Sequence, residues 1–381
     1  MANTLTEDQV AILAAVREFT AVELAPYANE RDQTKHFPLD TLEQAGQLGL
    51  GGVYVSEGAG GSDLSRHTAA LIFEELAKGD TAIAAYLSIH NMVAWMIDRY
   101  GDDGQRDRWL PGLADLSERG SYCLTEPSAG SDAAAIRTSA RRDGDGYLLN
   151  GVKQFISGAG EAAVYLVLAR TGESGAGGIS AIIVPAGTPG LSFGPNEKKM
   201  GWNAQPTRQV RFDDVRVPVH NRLGEEGDGF KIAMSGLDGG RVNIAACSLG
   251  GAQWALDQTI RYVQEREAFG RPLSDNQSVV FALADMATDL HASRLLVHDA
   301  AAAIDAADDD ASFKCAMAKR FATDASFAAA NQALQLHGGY GYLSEYGIER
   351  VVRDLRVHQI LEGTNEIMRV IVGRRLLADH R

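Results

Sequence analysis

The sequence predicts an α+β multidomain protein of three successive units: helical over residues 1–120, antiparallel β over 121–225, and a helical bundle over 226–381. Two changes in apolar spacing and one turn-forming dipeptide predict it. From Thr6 to about Leu116 the apolar residues recur at helical spacing, with Val10, Leu13, Ala14 and Val16 as one stripe and a long Ala-rich region from Leu71 to Tyr100. From Ser121 the texture shifts to short β-favouring runs, YLLNGVKQFIS, AVYLVLAR, ISAIIVP and RQVRFDDVRVP, punctuated by Gly, Pro and Asn. Within them Asn150-Gly151 reads as a hairpin turn, because both residues accept positive φ. Beyond GEEGDGF the helical pattern returns over Phe230–Arg266, Gln277–Ala307 and Ser312–Leu336, with Asp308 to Asp310 as a solvated turn.

Composition narrows the function. A chain of 381 residues with 45% hydrophobic content buries a large core. A formal charge of −14 excludes sequence-independent nucleic-acid binding, which needs clustered Lys and Arg. The N-terminal stretch carries acids where an export signal carries positive charge, so no membrane insertion and a cytoplasmic location are expected, or a matrix one after loss of a transit peptide. Cys123, Cys247 and Cys315 are isolated and odd in number and read as packing residues. The Gly-rich stretches at 58–63 and 172–178 fit neither G-x-G-x-x-G nor a P-loop, and His291 and His298, lacking a third ligand, read as solvated side chains rather than metal ligands.

Four segments remain unusual. YCLTEPSAGSD (122–132) joins the helical and β units and can present hydroxyls and backbone N–H groups to a polar ligand, or serve as a linker. In KQFISGAG, Phe155 and Ser157 face one side of a strand. Asp238 and Arg241, three apart in GLDGGRV, can pair on one helix face. In RVHQILEGTNEIMRVIVGRRLL (356–377) a helix carrying IERVVRDLRVHQILE breaks at Gly363-Thr364, Thr364 N-caps the next helix, and Glu362 is thrown out at the corner. Apolar Ile360 and Leu361 beside it predict a buried corner.

Taken in order, YCLTEPSAGSD, REAFGRPLSDNQ and QALQLHGGYGYLSEYGIERVVRDLRVHQILEGTNEIMR resemble the signature segments of the acyl-CoA dehydrogenase family, and the resemblance spans essentially the whole chain. It implies an N-terminal α-helical domain, a middle β domain and a C-terminal four-helix bundle, assembled as a homotetramer with one FAD per subunit. By the same resemblance Tyr122, Leu124 and Thr125 lie along the isoalloxazine, Phe155 and Ser157 line its other side, and Ser131 faces the acyl-CoA. The commoner family pattern has Trp and Thr at positions 155 and 157 and Gly at 128, so a smaller ring stands beside the flavin here. Arg266, Phe269, Gln277, Gln335, Gly338 and Gly339 would complete the dinucleotide site across a subunit boundary, with Thr364 and Glu366 as further FAD contacts. Asp238, Arg241 and Gly363 would contact the acyl-CoA.

The family's base, matching Glu362, removes the α-proton of the thioester while the β-hydrogen leaves as hydride to the flavin. Relatives that carry the base on the helix matching LDGGR have their carboxylate where this chain has Gly240. The segments LSIHNMVAWMIDRYG, FISGAGE, MGWNAQPTR and GGRVNIAACSLGGAQ are similar to the branch acting on short, 2-methyl-branched thioesters. That implies isobutyryl-CoA oxidised to methacrylyl-CoA in valine catabolism, with an electron-transfer flavoprotein as electron acceptor. The alternatives are butyryl-CoA or 2-methylbutyryl-CoA as substrate, an oxidase reducing dioxygen, for whose usual further helical domain the chain has no residues, and a silent assembly or binding subunit.

Overall fold

The computed structural model describes residues 5–378. Helices come first: α1 (Glu7–Phe19), α2 (Ala28–Thr34), α3 (Leu39–Gln47), α4 (Arg66–Gly79), α5 (Thr81–Tyr100) and α6 (Asp103–Ala114). Their starts are written locally. Thr6 and Gln9 form a capping box on α1, Asp102 and Gln105 another on α6, and the Asp80 carboxylate accepts from the first N–H groups of α5. The first four residues of the acidic N-terminal stretch lie outside the described residues.

The β unit comprises β1 (Gly120–Cys123), β2 (Ser139–Asp143), β3 (Gly146–Ser157), β4 (Val164–Arg170), β5 (Ile179–Pro185), β6 (Leu191–Phe193), β7 (Thr207–Pro218) and β8 (Arg222–Leu223). They form one sheet in the order β6-β7-β3-β2-β4-β5-β8, antiparallel except that β1 and a single β2 residue pair run parallel to β4. β4 is buried on both faces. Val164, Leu166 and Leu168 pack with Met92 and Ile97 of α5, whereas Tyr165, Val167 and Ala169 join Leu149 and Val215 on the opposite face. The expected hairpin at Asn150-Gly151 is absent. Asp143 pairs with Gly146, so the turn is Gly144-Asp145, with Gly144 at φ 59°. Asn150-Gly151 instead sits inside β3 at a register shift against β7, where Asp213 and Asp214 bulge opposite Asn150 with Asp214 at φ 49°, while a Cβ on Gly151 would lie 2.6 Å from Thr138 Oγ1.

The chain returns to helix in α7 (Gly229–Glu265), makes a short ribbon of β9 (Glu267–Ala268) and β10 (Arg271–Pro272), and continues through α8 (Gln277–Asp305), α9 (Ala311–His337), α10 (Ile348–His358) and α11 (Asn365–Ala378). Small residues let α7 run close to its neighbours: a Cβ on Gly250 would lie 2.1 Å from the Glu74 carbonyl oxygen on α4. The three cysteines are free and buried, in keeping with packing roles. His298 is not solvated but half-buried, its ring edge-on to His67 at 4.8 Å between α8 and α4. Among the described residues no helix is long and apolar enough to cross a membrane.

Candidate active site

A cavity of about 740 Å³ opens where the sheet, α5, α7 and the turn after α10 meet. It gathers Tyr122, Leu124, Thr125, Ser131, Phe155, Ser157, Arg241, Glu362, Gly363 and Thr364, ten of the predicted site residues, from four separate parts of the chain. A hydrogen-bonded frame holds each wall. Lys153, fully buried on β3, donates to the Leu124 carbonyl and to Glu126 Oε1, both at 2.8 Å, and Glu126 accepts from the Arg137 and Thr138 N–H groups at 2.6 and 2.8 Å. These bonds fix the loop that carries Thr125 and Ser131. A second register shift between Lys153 and Ile156 sets Phe155 at φ 59° and leaves its ring 64% exposed to the cavity mouth. An aromatic so placed is available to a planar ligand.

Glu362 sits on a left-handed corner. α10 ends at His358, the Ile360 and Leu361 N–H groups fold back on the Val357 carbonyl, and Glu362 and Gly363 then take φ of 55° and 86°. Thr364 caps α11, its hydroxyl accepting from the Ile367 N–H at 3.3 Å. A non-glycine residue in this region stores strain and is held there by its surroundings. Arg241 Nε donates to the Glu362 carbonyl at 3.4 Å, and Lys319 Nζ donates to the Gly363 carbonyl at 2.8 Å and to Asn365 Oδ1 at 2.9 Å.

Ile360 does not seal the corner, for it is 50% exposed on the cavity rim. The seal comes from α7 and α5. A Cβ added to Gly240 would lie 2.5 Å from Glu362 Oε2 and 3.2 Å from Met92 Sδ, so the missing side chain at 240 is the space the carboxylate fills. Although Glu362 as a residue keeps some accessible surface, Oε2 is out of solvent and has no hydrogen-bond partner among the described residues. Burial raises its pKa to about 7, opposed by the Arg241 and Lys319 charges. Tyr122 Oη, on the same cavity, is also buried without a partner, and its pKa is pushed well up by burial. Asp238 and Arg241 pair as expected, Nη1 to Oδ1 at 2.5 Å, with Ser312 Oγ donating to the same oxygen at 3.1 Å.

The remaining predicted residues lie elsewhere. Arg266, Gln335, Gly338 and Gly339 line a separate surface depression of about 350 Å³ with Tyr262 and Tyr340. Phe269 is fully exposed, Gln277 and Glu366 are exposed, and none of the three lines the large cavity. Within one chain the two sets are not assembled into a single site. Sequence reasoning missed Ile89, Met92, Met234 and Leu237 on the cavity wall, and it missed Lys319 behind it. A signal for Lys319 existed: it falls on the stripe of Cys315, Ala318, Ala322, Ala329 and Ala333 that α9 buries.

The chain belongs to the acyl-CoA dehydrogenase family, whose N-terminal, middle and C-terminal domains match residues 6–117, 121–215 and 227–377. It is therefore a flavoprotein oxidoreductase of that class. Among individual relatives it is 54% identical over 375 residues to the mitochondrial isobutyryl-CoA dehydrogenase of Bos taurus, covering 98% of this chain and 90% of that protein. The butyryl-CoA dehydrogenase structure from Megasphaera elsdenii superimposes with a TM-score of 0.96 at 40% identity, over 99% of this chain and 100% of that one. A chain in the solved structure described for the electron transferring flavoprotein of Acidaminococcus fermentans gives 0.97 at 42%, with the same coverage.

Proposed function

We propose that the protein is an FAD-dependent dehydrogenase of short, 2-methyl-branched acyl-CoA thioesters, with isobutyryl-CoA as substrate, methacrylyl-CoA as product and an electron-transfer flavoprotein as electron acceptor. The observation that carries this reading is the buried, unpartnered Oε2 of Glu362 on a cavity that also holds Tyr122, Thr125, Phe155 and Ser157. The residues fit a flavin. Phe155 offers an exposed ring, Tyr122 Oη is an orphaned polar atom, and Leu124, Thr125 and Ser157 add apolar surface and hydroxyls around one space. Those five would hold the isoalloxazine, while the depression around Arg266, Gln335, Gly338 and Gly339 would take the dinucleotide part of a second subunit's FAD in a homotetramer. Bound FAD supplies the two-electron acceptor for the β-hydrogen.

The protein's own part is proton removal. Glu362 would accept the α-proton, and its pKa near 7 makes it a far better base than an ordinary carboxylate. The Glu362 backbone N–H would donate to the thioester oxygen as negative charge develops there. Arg241 and Asp238, paired beside the corner, together with Ser131 and Gly363, would position the acyl-CoA. Isobutyryl-CoA is favoured over butyryl-CoA by the 54% identity to a dehydrogenase named for it. The test is anaerobic titration of the purified flavoprotein with isobutyryl-, butyryl- and octanoyl-CoA. Flavin bleaching with the highest kcat/KM for isobutyryl-CoA is expected. Preference for octanoyl-CoA would overturn the substrate assignment, and no bleaching with any thioester would overturn the reaction.

A further inference from the structure

We propose that Lys319 is a positioning residue for this reaction: from α9 its ammonium ties down the corner bearing Glu362 and supplies the positive charge that favours the ionised carboxylate. The inference rests on Glu362 as proton acceptor. Its geometry is specific. Lys319 is wholly buried, yet the two groups within hydrogen-bond reach are neutral oxygens, the Gly363 carbonyl at 2.8 Å and Asn365 Oδ1 at 2.9 Å, which flank the reactive residue's own turn. Asn365 is anchored in turn, its Nδ2 donating to Asp324 Oδ1 at 2.7 Å and Thr323 Oγ1 at 3.0 Å. The whole corner is thus bolted to α9.

A buried lysine held by neutral acceptors keeps its charge available to its surroundings. The acids nearby are engaged by arginines: Asp238 by Arg241 at 2.5 Å, Asp324 by Arg369 at 3.5 Å and Arg320 at 3.7 Å, Glu366 by Arg369 at 3.3 Å. The titratable and charged groups whose charge acts on the Glu362 carboxyl are Arg241 from α7, Lys319 from α9, Tyr122 from β1 and Tyr54 from the segment before α4. Burial raises both tyrosines, which are neutral, so Arg241 and Lys319 are the cations that oppose desolvation of the acid. Arg241 shares its charge with Asp238. Lys319 itself is lowered to about 8 by burial, with Arg241 adding to the fall and Glu362, Asp324 and Glu366 opposing it. An ammonium serves both ends better than an apolar side chain would, because it donates to the strained turn and acts on the acid the turn presents.

A merely structural lysine would affect rate and stability but not the titration of the acid. The experiment is the pH profile of kcat/KM for native protein, Lys319→Gln, Lys319→Met and Lys319→Arg, each with full FAD content. Loss of one cation close to a carboxylate raises its pKa by about one pH unit, so the acid limb should move up by that much in the Gln and Met variants, about tenfold in kcat/KM on the acid side. Lys319→Arg, which keeps the charge, should leave the limb in place whatever its rate. Proton uptake on binding 2,2-dimethylpropanoyl-CoA, which has no α-hydrogen, followed by calorimetry in two buffers, should show the same displacement without turnover. Met is the second neutral replacement because it nearly conserves volume and buries no charge. An unmoved limb in either neutral variant overturns the proposal, as does failure of both to fold while Lys319→Arg folds. If Glu362→Gln instead retains native rate and limb, the assignment of the base fails, and with it the premise rather than this inference alone.

Discussion

Glu362→Gln should make the protein more stable and almost inactive, and the two effects have one cause. The native carboxyl is displaced from 4.5 to about 7 by burial, beyond what Arg241 and Lys319 restore. At about 1.4 kcal/mol per pH unit this amounts to about 3 kcal/mol by which the folded chain disfavours the carboxylate, an upper figure because the residue retains some surface. The sign follows from proton binding. Below pH 4.5 the carboxyl is protonated in both folded and unfolded chains and the substitution gains nothing. Between 4.5 and about 7 the unfolded chain ionises while the folded one keeps its proton, so native stability falls as pH rises; above 7 the full penalty is present. The amide carries none of it. Thermal unfolding of native and variant protein at saturating FAD, from pH 4.5 to 8.5, should therefore show a difference near zero at the acid end that grows to several degrees and levels off above pH 7. Stopped-flow flavin reduction on the same samples should fall by several orders of magnitude with FAD and acyl-CoA binding retained. A pH-independent stability difference would refute the burial argument, and a native reduction rate would refute the role of the residue.

Two substitutions probe the frame. Gly240→Ala places a Cβ 2.5 Å from Glu362 Oε2, so the carboxylate must move; kcat should fall by about a hundredfold, as a displacement of about 1 Å implies, with FAD content unchanged, and an unchanged kcat would show the corner to be compliant. Glu126→Ala strands the buried Lys153 ammonium and two N–H groups, which should lower stability by about 3–5 kcal/mol in denaturant unfolding and weaken FAD retention, whereas a loss below 1 kcal/mol would mean the loop is held by other contacts.

How far the sequence carries follows from which signals are local. Helix extents in the C-terminal unit were legible because apolar spacing over long segments is redundant: expected Gln277–Ala307 and Ser312–Leu336 are observed as Gln277–Asp305 and Ala311–His337. The corner at Glu362 was legible for the same reason in reverse, as a glycine and a capping threonine interrupting two such patterns. Asn150-Gly151 misled because a glycine serves a close strand contact, here with Thr138, as well as a turn, and only the pairing partners of β3 decide between them. Lys319 was marked in the sequence as a cation on the buried stripe of α9, but the oxygens it reaches lie 44 and 46 residues away and are seen only in the fold. What is non-local in sequence stays hidden in it.

The placement of the acid on a turn rather than on α7 has a physical consequence. A carboxylate at position 240 would project from the middle of a 37-residue helix whose backbone is closed by its own hydrogen bonds. On the corner, by contrast, the residue sits outside helical hydrogen bonding, so its own N–H is aimed by the same left-handed turn that aims the side chain, and acid and donor move together. The double change Glu362→Gly, Gly240→Glu separates these functions. It frees the space Glu362 Oε2 occupies beside Gly240, leaves the backbone N–H at 362, and brings the carboxylate in from α7, where Met92 Sδ stands 3.2 Å from the new Cβ. Part of the proton-transfer rate should return relative to Glu362→Gly alone, still below native because Met92 must give way and Lys319 no longer holds the segment bearing the acid. Flavin reduction by isobutyryl-CoA in the single and double variants measures it. Full recovery would show that joining acid and donor on one turn contributes nothing, and no recovery, with FAD bound, would show that a carboxylate on α7 cannot reach the thioester in this protein.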